Sequence, residues 1–110
     1  MAFVCVGQLA QLWDGDMQAV STAGRRLLLV RSADQVSAFA DRCAHLGVPL
    51  SEGKLEAGVI TCRAHAWCYD ARTGKGVNPR NAQLETFAVE VRDGMIWVDP
   101  ESTREAHERA

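Results

Sequence analysis

Cys43-Ala44-His45 and, sixteen residues on, Cys62-Arg63-Ala64-His65 hold four strong metal-binding side chains in two short motifs. Each motif supplies one thiolate and one imidazole, ligands suited to zinc and to iron. A single zinc would take all four in a tetrahedron. Zinc-finger spacing, however, groups the two cysteines together and the two histidines together. Here each motif mixes the types. Mixed motifs suit a dinuclear iron–sulfur centre in which two cysteines hold one iron and two histidines the other. Each loop then gives one ligand to each metal. Metal analysis separates the two readings: about two irons with acid-labile sulfide, or a single zinc.

The flanking sequence reads as short strands. Phe3–Val6 opens the chain as a strand, and Gln8–Trp13 has room for one helical turn. Met17–Thr22 and Arg25–Ser32 form a hairpin around Ala23-Gly24, and Thr86–Arg92 with Met95–Asp99 form another around Asp93-Gly94. Val36, Ala38 and Ala40 share one face of a strand, with Ser37 and Phe39 on the other. Gly58–Cys62 and Ala66–Asp70 are further strands, so both metal motifs fall at strand ends or loop tips. Pro100 is expected to end the last strand, leaving 101–110 as a polar tail, frayed or loosely helical, with a solvated His107. Strands at this spacing predict an all-β fold, an antiparallel sandwich or barrel, in one domain over residues 1–100.

Cys43-x-His45 and Cys62-x-x-His65 resemble the ligand motifs of the Rieske iron–sulfur proteins. Leu50-Ser51-Glu52-Gly53 and Asp70-x-x-Thr73-Gly74 are similar to connecting segments of bacterial Rieske ferredoxins. The run from Gly58 through Cys62-Arg63-Ala64-His65-x-Trp67 to Thr73-Gly74-x-Gly76-x-Asn78-Pro79 resembles the ferredoxins of soluble diiron toluene and alkene monooxygenases. The resemblance implies one Rieske-type [2Fe-2S] cluster held by Cys43, His45, Cys62 and His65. It also implies a small cluster-binding subdomain, about residues 41–80, formed by two loops. The implied role is an electron carrier with no catalysis of its own. Electrons would pass from an NADH-dependent flavin or iron–sulfur reductase to a diiron hydroxylase, through transient docking. Alternatives are the ferredoxin of a ring-hydroxylating dioxygenase, against which the Cys62–Trp67 run speaks, and a Rieske-like subunit of another oxidoreductase.

The same resemblance bears on the cluster's surroundings. Respiratory Rieske proteins add a bridging cysteine to each loop, where this chain has Val48 and Ala64. They also place a serine donor where this chain has Trp67. Tyr69 keeps a phenol able to approach a ligand sulfur. Losing the serine donor removes stabilisation of the more negative, reduced state. The reduction potential is therefore expected near the low end of the Rieske range of roughly −150 to +300 mV. Trp67 is expected to shield the cluster and Pro79 to sit in a third loop beside it. Ala44 departs from the Pro or Thr common there.

Composition narrows the function classes. The chain has 110 residues, 47% hydrophobic and 24% charged, with net charge −2. That balance excludes a basic nucleic-acid binder. No apolar run, Met1–Val6 and Leu27–Val30 included, comes near the roughly 20 residues a membrane helix needs. No export signal is evident, so a cytoplasmic monomer is expected, with cysteines reduced. Cys5 reads as a small buried hydrophobe and Cys68 as a bystander. Trp13, Trp97, Phe39 and Phe87 read as core. Residues 41–80 carry six basic and four acidic side chains, the remainder six and ten. Arg63, Lys54 and Glu52 are thus candidates for steering a partner.

Overall fold

The computed structural model describes residues 3–33, 35–43, 48–64, 66–104 and 107–108. The larger body is a six-stranded antiparallel sheet, nearly closed on itself. Its strands are β1 (Val4–Gln8), β2 (Met17–Thr22), β3 (Arg25–Ser32), β4 (Gln35–Ala40), β10 (Thr86–Arg92) and β11 (Met95–Arg104), in the order β1-β11-β10-β4-β3-β2. Between β4 and β10 the chain forms a smaller antiparallel sheet, β5 (Lys54–Glu56), β6 (Val59–Thr61), β7 (Cys68–Asp70) and β8 (Gly76–Asn78), in sequential order. β9 (Ala82–Gln83) pairs with β12 (His107–Glu108).

The β3–β4 hairpin is a wall shared by two cores. Leu27 and Leu29 of β3, with Val36, Ala38 and Ala40 of β4, face the interior of the large sheet alongside Phe87, Ile96 and Val98. Leu28, Val30 and Phe39 face the other way and pack on Leu50, Ile60, Tyr69 and Leu84. The alternation follows from the two-residue period of a strand. The unbroken Leu27-Leu28-Leu29-Val30 run reflects a strand covered on both faces. Burying each of these leucines contributes about 1.5–3 kcal/mol.

Among the described residues, the turns Ala23-Gly24, Ala57-Gly58 and Asp93-Gly94 place both central residues in the left-handed region. That geometry matches the twist of a two-residue hairpin. The pair at 57–58 moves Gly58 out of its expected strand and into the turn, and the strand begins at Val59.

Other expectations are corrected. Trp13 is 73% exposed, because Leu12 takes the inward position after the 3₁₀ turn Leu9–Gln11. Cys5 is exposed, since Val6 is the β1 residue that packs inward and a bulge follows. Trp97 is only half-buried, with the Arg92 guanidinium 4.7 Å from its ring centre. Pro100 does not end β11. The ladder pairs Ala88 with Asp99 and then Phe87 with Thr103, so Pro100 sits in a bulge where its missing N–H costs nothing. Ser102 Oγ restores the bonding there, accepting from the Ala88 amide at 2.9 Å and donating to the Asp99 carbonyl at 2.8 Å. β11 runs on to Arg104, and His107–Glu108 is a strand rather than a helix, the backbone of His107 pairing with Gln83. Among the described residues no helix is long and apolar enough to cross a membrane.

Candidate metal centre

The two cysteines stand at corresponding places. Cys43 follows β4 after two residues, and Cys62 follows β6 directly. The Cys43 amide donates to the Val48 carbonyl at 2.7 Å, and the Cys62 amide to the Trp67 carbonyl at 2.8 Å. Each bond runs from a cysteine to the fifth residue after it. Two loops of equal length are thus closed in the same way at their stems. Ala66, near the exit of the second, takes a positive φ of 53°. His45 and His65 lie outside the described residues.

Both thiols are buried, Cys43 2% and Cys62 1% exposed. Burial pushes the Cys62 thiol above its ordinary pKa, and the adjoining Cys43 sulfur pushes the same way. A hydrogen bond with the Ala64 backbone and the charge of Arg63 pull against this. The two sulfurs are therefore neighbours, one brought by the chain after β4 and the other by the end of β6. Tyr69, fully buried on β7, places its hydroxyl 3.2 Å from Cys43 Sγ. Trp67, half-buried, packs on the core beneath the loops with Val48 and Ala64. Pro79 follows a cis peptide bond after β8, whose Asn78 pairs with Cys68. Cys68 itself bonds to the Ala66 carbonyl (3.3 Å) and Thr61 Oγ1 (3.5 Å).

One 3₁₀ turn, Leu50–Glu52, ties the two loops together. Ser51 donates its amide (2.8 Å) and its hydroxyl (2.7 Å) to the carboxylate of Asp41, just before the first loop. The Asp41 side chain has no exposed surface and also accepts from Arg26 Nε at 2.7 Å. Glu52 pairs with Arg63 of the second loop at 2.6 Å. Gly53 presses against the Thr61 carbonyl so closely that a Cβ there would stand 2.1 Å from the oxygen. The Asp41–Arg26–Ser51 network escaped the sequence reading. The positions of Asp41 and Ser51 flanking the first loop were visible, but their bonding depends on Arg26 arriving from β3.

A pair of adjoining buried thiols with a phenol alongside is a fit for the sulfur-held half of a [2Fe-2S] centre. A bound metal would take Cys43 and Cys62 as thiolates, so binding would release their protons. Residues outside the thiol pair contribute hydrogen bonds and an enclosed setting, the means by which a protein tunes a bound cluster.

Comparison with known proteins agrees with this chemistry. Residues 2–88 match the Rieske [2Fe-2S] domain. The chain is 35% identical over 100 residues to the alkene monooxygenase system ferredoxin component of Xanthobacter autotrophicus, covering 90% of this chain and 82% of that protein. It is 29% identical to methylxanthine N1-demethylase of Pseudomonas putida, but spans only 26% of that longer protein. Among solved structures, it superposes on the ferredoxin of carbazole 1,9a-dioxygenase from Nocardioides aromaticivorans IC177 with a TM-score of 0.83 and 30% identity, covering 92% and 100% of the two chains. A chain from the complex of reduced oxygenase and oxidised ferredoxin in carbazole 1,9a-dioxygenase gives 0.84 at 31% identity, with 94% and 97% covered. The chain belongs to the Rieske [2Fe-2S] domain family, as an electron-transfer ferredoxin with one Rieske-type cluster.

Proposed function

We propose that Cys43 and Cys62 are the sulfur ligands and His45 and His65 the nitrogen ligands of the cluster. In this reading the chain carries single electrons from an NADH-dependent reductase to the diiron hydroxylase of an alkene or aromatic monooxygenase. The observation that supports it most is the 35% identity to an alkene monooxygenase ferredoxin component over 82% of that protein's length. The carrier is read as one domain with residues 41–80 as its cluster-binding portion. It acts as a cytoplasmic monomer without independent catalytic activity.

The bound cluster supplies a one-electron couple. The chain's own residues set how that couple behaves. Tyr69 donates to the Cys43 sulfur and favours the more negative, reduced state. Trp67 and the buried thiols keep water from the sulfur side. Pro79 lines a third loop at the same end. The Asp41, Arg26 and Ser51 network holds the stem of the first loop.

Reconstitution tests the role. The purified chain should restore NADH-driven hydroxylation when added to a reductase and a diiron hydroxylase. The carbazole dioxygenase structures favour a second reading, delivery to a ring-hydroxylating dioxygenase. Efficient transfer to such a dioxygenase, with none to a diiron hydroxylase, would establish it instead. For the ligands, His45→Ala or His65→Ala should abolish the Rieske-type EPR signal, whereas Cys5→Ser and Cys68→Ser should keep it. Loss of the signal in either serine variant would sink the assignment.

A further inference from the structure

The small sheet has two ends of different charge. Strand register decides which residues lie at each. Lys54 pairs with Thr61, the neighbour of Cys62, and Asn78 pairs with Cys68, the neighbour of Trp67. Lys54 and the turn after Asn78, with Arg80, therefore lie at the loop-bearing end. Arg42 and Arg63 adjoin Cys43 and Cys62 there. All four are exposed.

Among the described side chains, the carboxylates at this end are already engaged. Glu52 is held by Arg63, and Asp41 is buried under Arg26. Glu85, whose carbonyl accepts from the Ala40 amide, lies 3.6 Å from Arg25. Among the described residues Arg42, Lys54 and Arg80 have no ion pair, and they form a basic collar on a chain whose net charge is −2. The other end of the sheet mixes Glu56 and Asp70 with Arg72 and Lys75, since Glu56 and Asp70 both pair with Val59. Val77, 48% exposed beside Pro79, adds an apolar contact to the basic end. A local field of one sign raises the encounter rate with a surface of the other.

We propose that this basic collar is the docking surface for an acidic face of the oxygenase partner, so that the electron leaves through the loop-bearing end. The proposal rests on the oxygenase reading above and adds the chemistry of the contact. A small interface steered by charge suits a carrier that must bind and release in turn.

The test compares two double variants of equal charge change in the cluster-loaded protein. Lys54→Glu with Arg80→Glu alters the collar, and Arg72→Glu with Lys75→Glu alters the far end. An unchanged visible spectrum and midpoint potential certify the centre in both. The reduced protein is first oxidised by ferricyanide, an anion, or by tris(phenanthroline)cobalt(III), a cation. Each reagent takes one electron, becoming ferrocyanide or the cobalt(II) complex. At low salt the collar variant should react about tenfold more slowly with ferricyanide and correspondingly faster with cobalt. The far-end variant should stay close to the parent. Delivery to the oxygenase should slow by a similar factor in the collar variant alone, and the difference should fade as salt shortens the screening length. Equal behaviour of the two double variants, or faster delivery by the collar variant, overturns the proposal. If the small reagents report the collar but no oxygenase accepts electrons, the oxygenase reading fails, and this partner with it.

Discussion

The six-stranded sheet and the four-stranded sheet are built on different principles. The large sheet has strands of five to ten residues and a continuous apolar interior. The small sheet has strands of three residues each, too short to stand alone. It packs on the β3–β4 wall and is tied to its surroundings by the 3₁₀ turn Leu50–Glu52, and a bound cluster would add a further tie. With the proposed ligands, stability resides in the first region and redox chemistry in the second. The shared wall makes them one structure.

Removing the iron tests that division most severely. Chelation should strip hydrogen-exchange protection from Ile60 and Tyr69 in the small sheet, while Leu27 to Leu29 and Val98 stay protected. Uniform loss across both sheets would show that they fold as a single unit. The wall itself gives the next largest effect. Leu28→Ala and Leu29→Ala should each cost about 2–5 kcal/mol in denaturant unfolding, since both side chains are buried. Only Leu28→Ala, which faces the thiol side, should also speed release of iron to a chelator. Equal release from both variants would mean that the two cores do not act separately.

Asp41→Asn sharpens the comparison within the small region. It keeps the shape and removes the charge that Arg26 and Ser51 hold. The expected loss is about 2 kcal/mol, read as faster iron release with little change in the unfolding of the large sheet. Tyr69→Phe should have the smallest effect on stability and act on the redox couple. Loss of the phenol donor to Cys43 destabilises the reduced state, so the midpoint potential should fall by about 50 mV. A rise, or no change, would show that the phenol does not donate to that sulfur.

The parts legible in the sequence follow a simple rule. Val36, Ala38 and Ala40 alternate with Ser37 and Phe39, and the structure sorts Phe39 away from that trio as the period requires. Asp93-Gly94 is a turn because both residues tolerate a positive φ. Ala57-Gly58 is the same turn as Ala23-Gly24, but the strand before it, Lys54–Glu56, is short and polar and gives no strand signal, so the expected strand starts one residue early at Gly58. Phe3 to Val6 is apolar at every position, so periodicity had no phase to offer. The edge position of β1 left Cys5 outside and turned Val6 in. Leu12 and Trp13 compete for one inward position, and tethering of the segment by Arg31, which donates to the Leu9 and Leu12 carbonyls, goes with Leu12 inside.

The ligand motifs, the strand alternation and the charge excess between residues 41 and 80 are properties of the chain as written. They follow from side-chain chemistry and from a two-residue period, which are local. The meeting of Cys43 with Cys62, the approach of Tyr69 to Cys43 and the burial of Asp41 under Arg26 belong to the folded molecule alone. Each joins residues 15 or more positions apart: the β3–β4 hairpin sets Arg26 beside Asp41, and the packing of the small sheet on that hairpin brings Cys62 and Tyr69 to Cys43.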